Sequence, residues 1–250
     1  MERLLEVCVD SFASAEAAVK GGADRLELCS ALTMGGLTPY EMLLRQIKAR
    51  FDIPVRCLMR PRAGDFLYTK EELELLKMQI VQLREAGADG FVIGCLRPDG
   101  SLDREAMEPL VEACAGRGIT LHRCIDVSKN LEETYQGAAA LGIDTVLTSG
   151  GAGSCLEGVE SLRRLIGLRD HMNGPEVLIG AGVKASVIEE FLRTVPGCRA
   201  FHMSGKTEIE SGMAFRRAGV PMGAPGLDEW HIQVTSEAAV RQARTVLDQK

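Results

Sequence analysis

The sequence predicts a single-domain α/β protein, a (β/α)8 TIM barrel over residues 1–250, and three observations carry that expectation. Short β-branched or apolar runs alternate eight times with longer stretches of helical periodicity, the grammar of βα units. Turns rich in Gly, Ser or Asp separate them, and no proline-rich or low-complexity linker divides the chain. A length of 250 residues suits eight such units closed into one barrel. An open doubly wound sheet is the alternative arrangement of the same alternation.

The first strand is expected at LLEVCVD (4–10), followed by the helix SAEAAVKGG (14–22). The second, RLELC (25–29), precedes PYEMLLRQIKARF (39–51), and PVRCLMR (54–60) precedes KEELELLKMQIVQLREAG (70–87). GGAD and AGAD close the first and third helices with a glycine where a left-handed cap is wanted. GFVIGCL (90–96) leads to DREAMEPLVEACAGRG (103–118), and ITLHRCI (119–125) to LEETYQGAAALG (131–142). DTVLTSG (144–150) is followed by LEGVESLRRLIGLRD (156–170), and EVLIGAG (176–182) by KASVIEEFLRTV (184–195). AFHMSG (200–205) is the eighth strand and SEAAVRQARTVLDQ (236–249) the last helix, with a long loop over 206–233 between them that covers the mouth or meets a partner subunit.

In a barrel, alternate residues of each strand point inward. Glu6 and Cys8 then share the interior with Glu27, Cys29, Arg56 and Arg60, while Val7, Val9, Leu26, Leu28 and Cys57 face the helices. Polar residues crowd the C-terminal strand ends, where barrel active sites sit: Arg60, Arg62 and Asp65 after the third strand, His122, Arg123 and Asp126 around the fifth, Thr148 and Ser149 at the sixth, His202 and Ser204 at the eighth.

Charge and cysteine usage narrow the function classes. The net charge is −6 with both signs interspersed, so no basic stripe points to nucleic acid or an anionic membrane. No apolar run approaches the roughly 20 residues of a membrane span, and the N-terminus lacks a signal-peptide pattern, so a cytoplasmic protein is expected. The eight cysteines contain no C-x-x-C pair and are expected as free thiols in a reducing compartment. SGKT at 204–207 lacks the upstream glycine of a phosphate-binding P-loop, because Ala200 stands there. His171 is read as a helix-end cap, and Met203, Met213 and Met222 form no stripe.

EVCVDS (6–11), GGADRLELC (21–29), GGLTP (35–39), RPRAGDFLY (60–68), HRCID (122–126), LTSGG (147–151) and HMSG (202–205) resemble the CutC family, in order and over nearly the whole chain. The resemblance implies a TIM-barrel, cytoplasmic protein named for copper homeostasis. Ala63, Leu121, Cys124 and Ile125 depart from the family's pattern beside the polar residues and leave those residues intact.

Two function classes follow. In one, Cys8 and Cys29 hold copper as Cu(I), which soft thiolates select; the competing reading makes them buried inert thiols. In the other, the chain is an enzyme acting on a small anionic or polyhydroxylated molecule. Glu27, His122, Asp126 and His202 then supply proton transfer, and Arg60, Arg62, Asp65, Arg123, Thr148, Ser149 and Ser204 supply anchoring. Internal ion pairs from the arginines to Glu27 and Asp65 are the structural alternative. A homodimer is expected because it is common for such folds, and the long final loop fits it.

Overall fold

The computed structural model describes residues 3–220, 222 and 228–249. Eight parallel strands close into a barrel in sequence order, β1 (Leu4–Val9), β2 (Arg25–Leu28), β3 (Val55–Leu58), β4 (Gly90–Ile93), β5 (Gly118–Leu121), β6 (Thr145–Thr148), β7 (Glu176–Ile179) and β8 (Ala200–Met203), with β8 pairing back to β1. The helices α1 (Phe12–Gly21), α2 (Glu41–Arg50), α3 (Lys70–Glu85), α4 (Arg104–Ala113), α5 (Leu131–Ala140), α6 (Val159–Met172), α7 (Ala185–Thr194) and α8 (Glu237–Asp248) alternate with them. None is long and apolar enough to cross a membrane.

Local chemistry sets the helix ends. Ser11 caps α1 by accepting from Ser14 N–H, and Thr69 with Glu72 forms a reciprocal capping box on α3. Gly22 and Gly87 adopt the left-handed conformation that the GGAD and AGAD turns lead one to expect, with φ of 92° and 102°. The outward strand residues Val7, Val9, Leu26, Leu28 and Cys57 are buried in the main core against the helices.

Interior residues stack in layers. At the N-terminal end Arg56 fills the barrel, donating from Nη1 to Thr120 Oγ1 (2.7 Å) and Thr145 Oγ1 (3.2 Å) and from Nη2 to Asp144 (2.8 Å). Gly118 makes room for it, since a Cβ there would sit 2.5 Å from Arg56 Nη2. Leu4, Leu147, Leu178 and Ala200 form one apolar interior patch, and Cys8, Cys29, Leu58 and Val92 form another.

The strands are shorter than the sequence runs suggest. The run 119–125 stops pairing at Leu121, because His122 Nδ1 accepts the Cys124 N–H and starts a 3₁₀ turn over Arg123–Val127. The stretch 206–233, expected as loop, carries the strands β9 (Lys206–Glu210) and β10 (His231–Thr235), paired as an antiparallel hairpin outside the barrel. Residues 221 and 223–227 of that stretch lie outside the described residues. All eight cysteines are buried and unpaired.

Candidate functional site

Register places the first ionic layer of the site. Glu6 on β1 lies opposite Arg25 on β2 and His202 on β8, and Cys8 lies opposite Glu27. All five side chains share the interior parity of their strands, so they meet without any loop rearrangement. The Glu6 carboxylate accepts from Arg25 Nε at 2.5 Å and faces His202 Nδ1 at 2.8 Å. His202 Nε2 lies 3.7 Å from Glu27 Oε2, and the Cys29 thiol donates to the same Glu27 oxygen at 3.6 Å. The Cys8 thiol is within hydrogen-bond reach of His202.

These groups do not share charge evenly. Burial would lift the Glu6 carboxyl, but Arg25 and His202 outweigh it and hold it at about 2. Glu27 is raised by burial and by the Glu6 charge, against the opposing pull of His202. Burial likewise works to strip the proton from His202, yet Cys8, Glu27 and Glu6 around it hold the imidazole well above its ordinary range. Burial and the Glu27 carboxylate push the Cys29 thiol well up, which favours the neutral thiol. The layer is thus an anchored glutamate, a cationic histidine and a second glutamate that titrates late.

Above this layer the mouth opens into a cavity of about 340 Å³. Of the residues singled out in the sequence, Cys8, Glu27, Cys29, Arg60, His122, Arg123, His202 and Ser204 line it. Phe66, Leu58 and Leu147 provide apolar wall, and Lys206 and Gln233 of the hairpin form part of the rim. Arg60 is held over the Phe66 ring with Cζ 5.3 Å from the centroid, and the His122 ring packs against the same Phe66 ring with centroids 4.7 Å apart. His122 is driven down to about 3 by burial and by the Arg60 charge, so its imidazole is neutral.

The remaining sequence candidates are committed elsewhere. Arg62 donates to Glu72 at 2.6 Å and to Asp65 at 3.0 Å, bracing the loop before α3 rather than lining the cavity. Asp126 accepts from Arg123 (2.7 Å), Thr148 Oγ1 (2.5 Å) and the backbone of Ser149 (3.0 Å) and Gly151 (3.1 Å). It therefore ties the turn after β5 to the exit of β6, and it does not touch His122. The Ser149 hydroxyl accepts from Arg123 and donates to the Ala152 carbonyl. Of the ion pairs in the structural alternative, Arg62–Asp65 forms and neither arginine pairs with Glu27: Arg60 bonds backbone carbonyls of Met34, Gly36 and Gly64. Arg25 and Phe66 escaped the sequence reading. Arg25 shared the inward parity of Glu27, which was signal enough to find it.

For a metal, the fit lies in a trio. One ligand atom each from Cys8, Glu27 and His202 lie within 4.8 Å of one another, and Cys29 packs against Cys8 in the same interior cluster. Thiol and imidazole suit soft or borderline ions, whereas the carboxylate suits harder ones.

The sequence model of the CutC family matches residues 3–207. A CutC family protein of Agrobacterium fabrum is 40% identical, covering 98% of this chain and 94% of its own length. The human protein described as "copper homeostasis protein cutC homolog" is 39% identical over 97% of this chain and 88% of its own. Among solved structures, a copper homeostasis protein CutC from Streptococcus agalactiae superposes with a TM-score of 0.76 at 26% identity, covering 81% of this chain and 98% of that one. At 13% identity, 3-hexulose-6-phosphate synthase from Salmonella typhimurium (TM-score 0.59, 98% of both chains) shares the fold alone. With the match extending across β1 to β8 and the site they build, the chain belongs to the CutC family.

Proposed function

We propose that this chain serves copper homeostasis by holding Cu(I) at the barrel mouth, with Cys8 as the principal thiolate, Cys29 as the second sulfur and His202 as the nitrogen ligand. The observation that carries the reading is the convergence of Cys8 with His202 and Glu27 within 4.8 Å on the floor of an open cavity, with Cys29 packed beside Cys8. Sulfur and imidazole donors are what Cu(I) selects, and Glu27 is the harder, outer member of the set. The eight unpaired thiols accord with a reducing compartment, and a cytoplasmic location is part of the proposal.

Because Cys29 holds its proton well above the ordinary thiol range and His202 holds its own well above the ordinary imidazole range, loading the metal displaces a proton from each, and affinity rises with pH. The test is a titration of reduced protein with Cu(I) against a chromogenic chelator. Wild type competes for one equivalent, and the Cys8→Ser, Cys29→Ser double variant loses affinity by about 100-fold or more, near 3 kcal/mol. Unchanged affinity in the double variant refutes the reading.

One arrangement favours a second reading, that of an enzyme on a small anion. Glu27, buried and raised, lines the cavity beside His202, with Arg60 on the cavity wall. A carboxyl that titrates late beside a cationic imidazole is suited to proton transfer. In this reading Glu27 and His202 are the acid–base pair and Arg60 and Arg123 anchor the substrate. Native mass spectrometry of freshly isolated protein decides it: a bound small molecule, released by Arg60→Gln, supports the enzyme, and a bare chain opposes it.

A further inference from the structure

Two hydrogen-bond donors beside the cavity have no acceptor among the described residues. Arg60 carries five N–H groups. Nη1 is directed to the carbonyls of Met34 (3.3 Å) and Gly36 (3.2 Å) and Nη2 to that of Gly64 (2.9 Å), which fixes the guanidinium against the loops after β2 and β3. Its Nε is shut away from water and has no partner among the described residues. His122 shows the same pattern. Its Nδ1 accepts the Cys124 N–H at 3.2 Å, so that nitrogen carries a lone pair. Since the ring is neutral, its hydrogen resides on Nε2, and Nε2 too is buried and without a partner among the described residues.

A buried donor left unsatisfied costs about 1–3 kcal/mol, and two on adjoining side chains are hard to account for by packing alone. Both side chains line the cavity, and both lean on the Phe66 ring. The fold also makes room for this placement: a Cβ at Gly94 would lie 2.5 Å from His122 Cε1 and 2.4 Å from Cys124 Sγ.

The missing partner has a defined chemistry. Two donors, one of them on a cation, call for an acceptor with negative charge and two oxygens. Phosphate fits less well, because the Arg60 Nη atoms that would hold its further oxygens already serve backbone carbonyls. The cavity, about 340 Å³, lies at the small end of the range for small-molecule sites, roughly 300–1,000 Å³. Leu58, Leu147 and Phe66 offer apolar wall to the rest of such a ligand.

We propose that Arg60 Nε and His122 Nε2 form a carboxylate subsite, and that the cavity receives a small organic acid. Because neither nitrogen is open to water, seating the carboxylate includes a turn of the Phe66 ring that leans on both. The proposal deepens the enzyme reading by naming the ligand class, and it stands independently of copper.

Thermal unfolding of the intact chain with pyruvate, malonate or 2-oxoglutarate tests it, with malonamide as the uncharged control. At ten times its Kd a binding acid raises Tm by about 3–6 °C for a chain of this size. The rise falls below about 1 °C in His122→Asn, which keeps an acceptor for the Cys124 N–H, and in Arg60→Lys, which keeps the charge but loses Nε. On binding, the His122 Nε2 proton resonance moves downfield, a change that a purely structural histidine would not show. Cys8→Ser weakens Cu(I) retention and leaves the carboxylate response intact. The proposal is overturned if none of the acids stabilises the protein, if malonamide serves equally, if both variants respond like wild type, if the Nε2 proton stays in place, or if Cys8→Ser removes the response.

Discussion

Replacing Glu6 with glutamine tests the ionic layer that supports the site. Glu6 is wholly buried, and its carboxylate is the counter-ion of Arg25, whose side chain is only 11% exposed. Glutamine keeps the volume and removes the charge, leaving a guanidinium with little water to compensate it. Breaking one partner of a buried ion pair costs about 3–5 kcal/mol, and the residual exposure of Arg25 and His202 argues for the lower end. A second route agrees: holding a carboxyl at about 2 when its ordinary value is 4.5 corresponds to about 3 kcal/mol at neutral pH. Glu6→Gln is therefore expected to lose about 3 kcal/mol at pH 7, or roughly 6–12 °C in Tm.

The sign with pH is fixed by the direction of the displacement. A carboxyl depressed by folding stabilises fully above its unfolded value and progressively less as pH falls from 4.5 toward 2. The wild-type and variant stabilities, measured by urea unfolding at pH 7, 5 and 3, should converge in acid. A deficit below about 1 kcal/mol at pH 7, or one of equal size at every pH, would mean that the Arg25–Glu6–His202 layer is not the support argued here.

The two barrel histidines should titrate in opposite directions, followed by their ring carbon resonances. His122 should stay neutral on acidification until about pH 3, whereas His202 should keep its proton above the ordinary histidine range. The buried neutral His122 also adds an acid sensitivity, since stability present above pH 6.5 declines as pH falls toward 3; a His122 that titrates normally contradicts this. Gly94→Ala should destabilise the chain by about 1–3 kcal/mol by crowding His122 and Cys124, and an unchanged urea midpoint would count against the tight contact.

The architecture was legible because β-period runs and helix-period runs alternate in register with glycine turns, and because strand parity alone puts Glu6, Cys8, Glu27 and Cys29 on one face. Pairing was less so. Asp126 is four residues from His122 and invites the assignment of a carboxylate–imidazole couple, yet the 3₁₀ turn carries it to Thr148 and Ser149. The histidine that does face carboxylates, His202, is 196 residues from its partner Glu6, a relation that exists only once β8 closes on β1. Arg62 looked like the twin of Arg60, but Glu72 in the capping turn of α3 claims it. The hairpin hid for a different reason. Its strands KTEIE and HIQVT are largely exposed on both faces, so they lack the buried alternation by which strands are recognised.

Arg56, wedged among Thr120, Thr145 and Asp144, acts as a stopper at the far end of the barrel. Among the described residues the interior is therefore plugged at that end, and the cavity opens at the opposite end, where its sill includes Lys206 and Gln233.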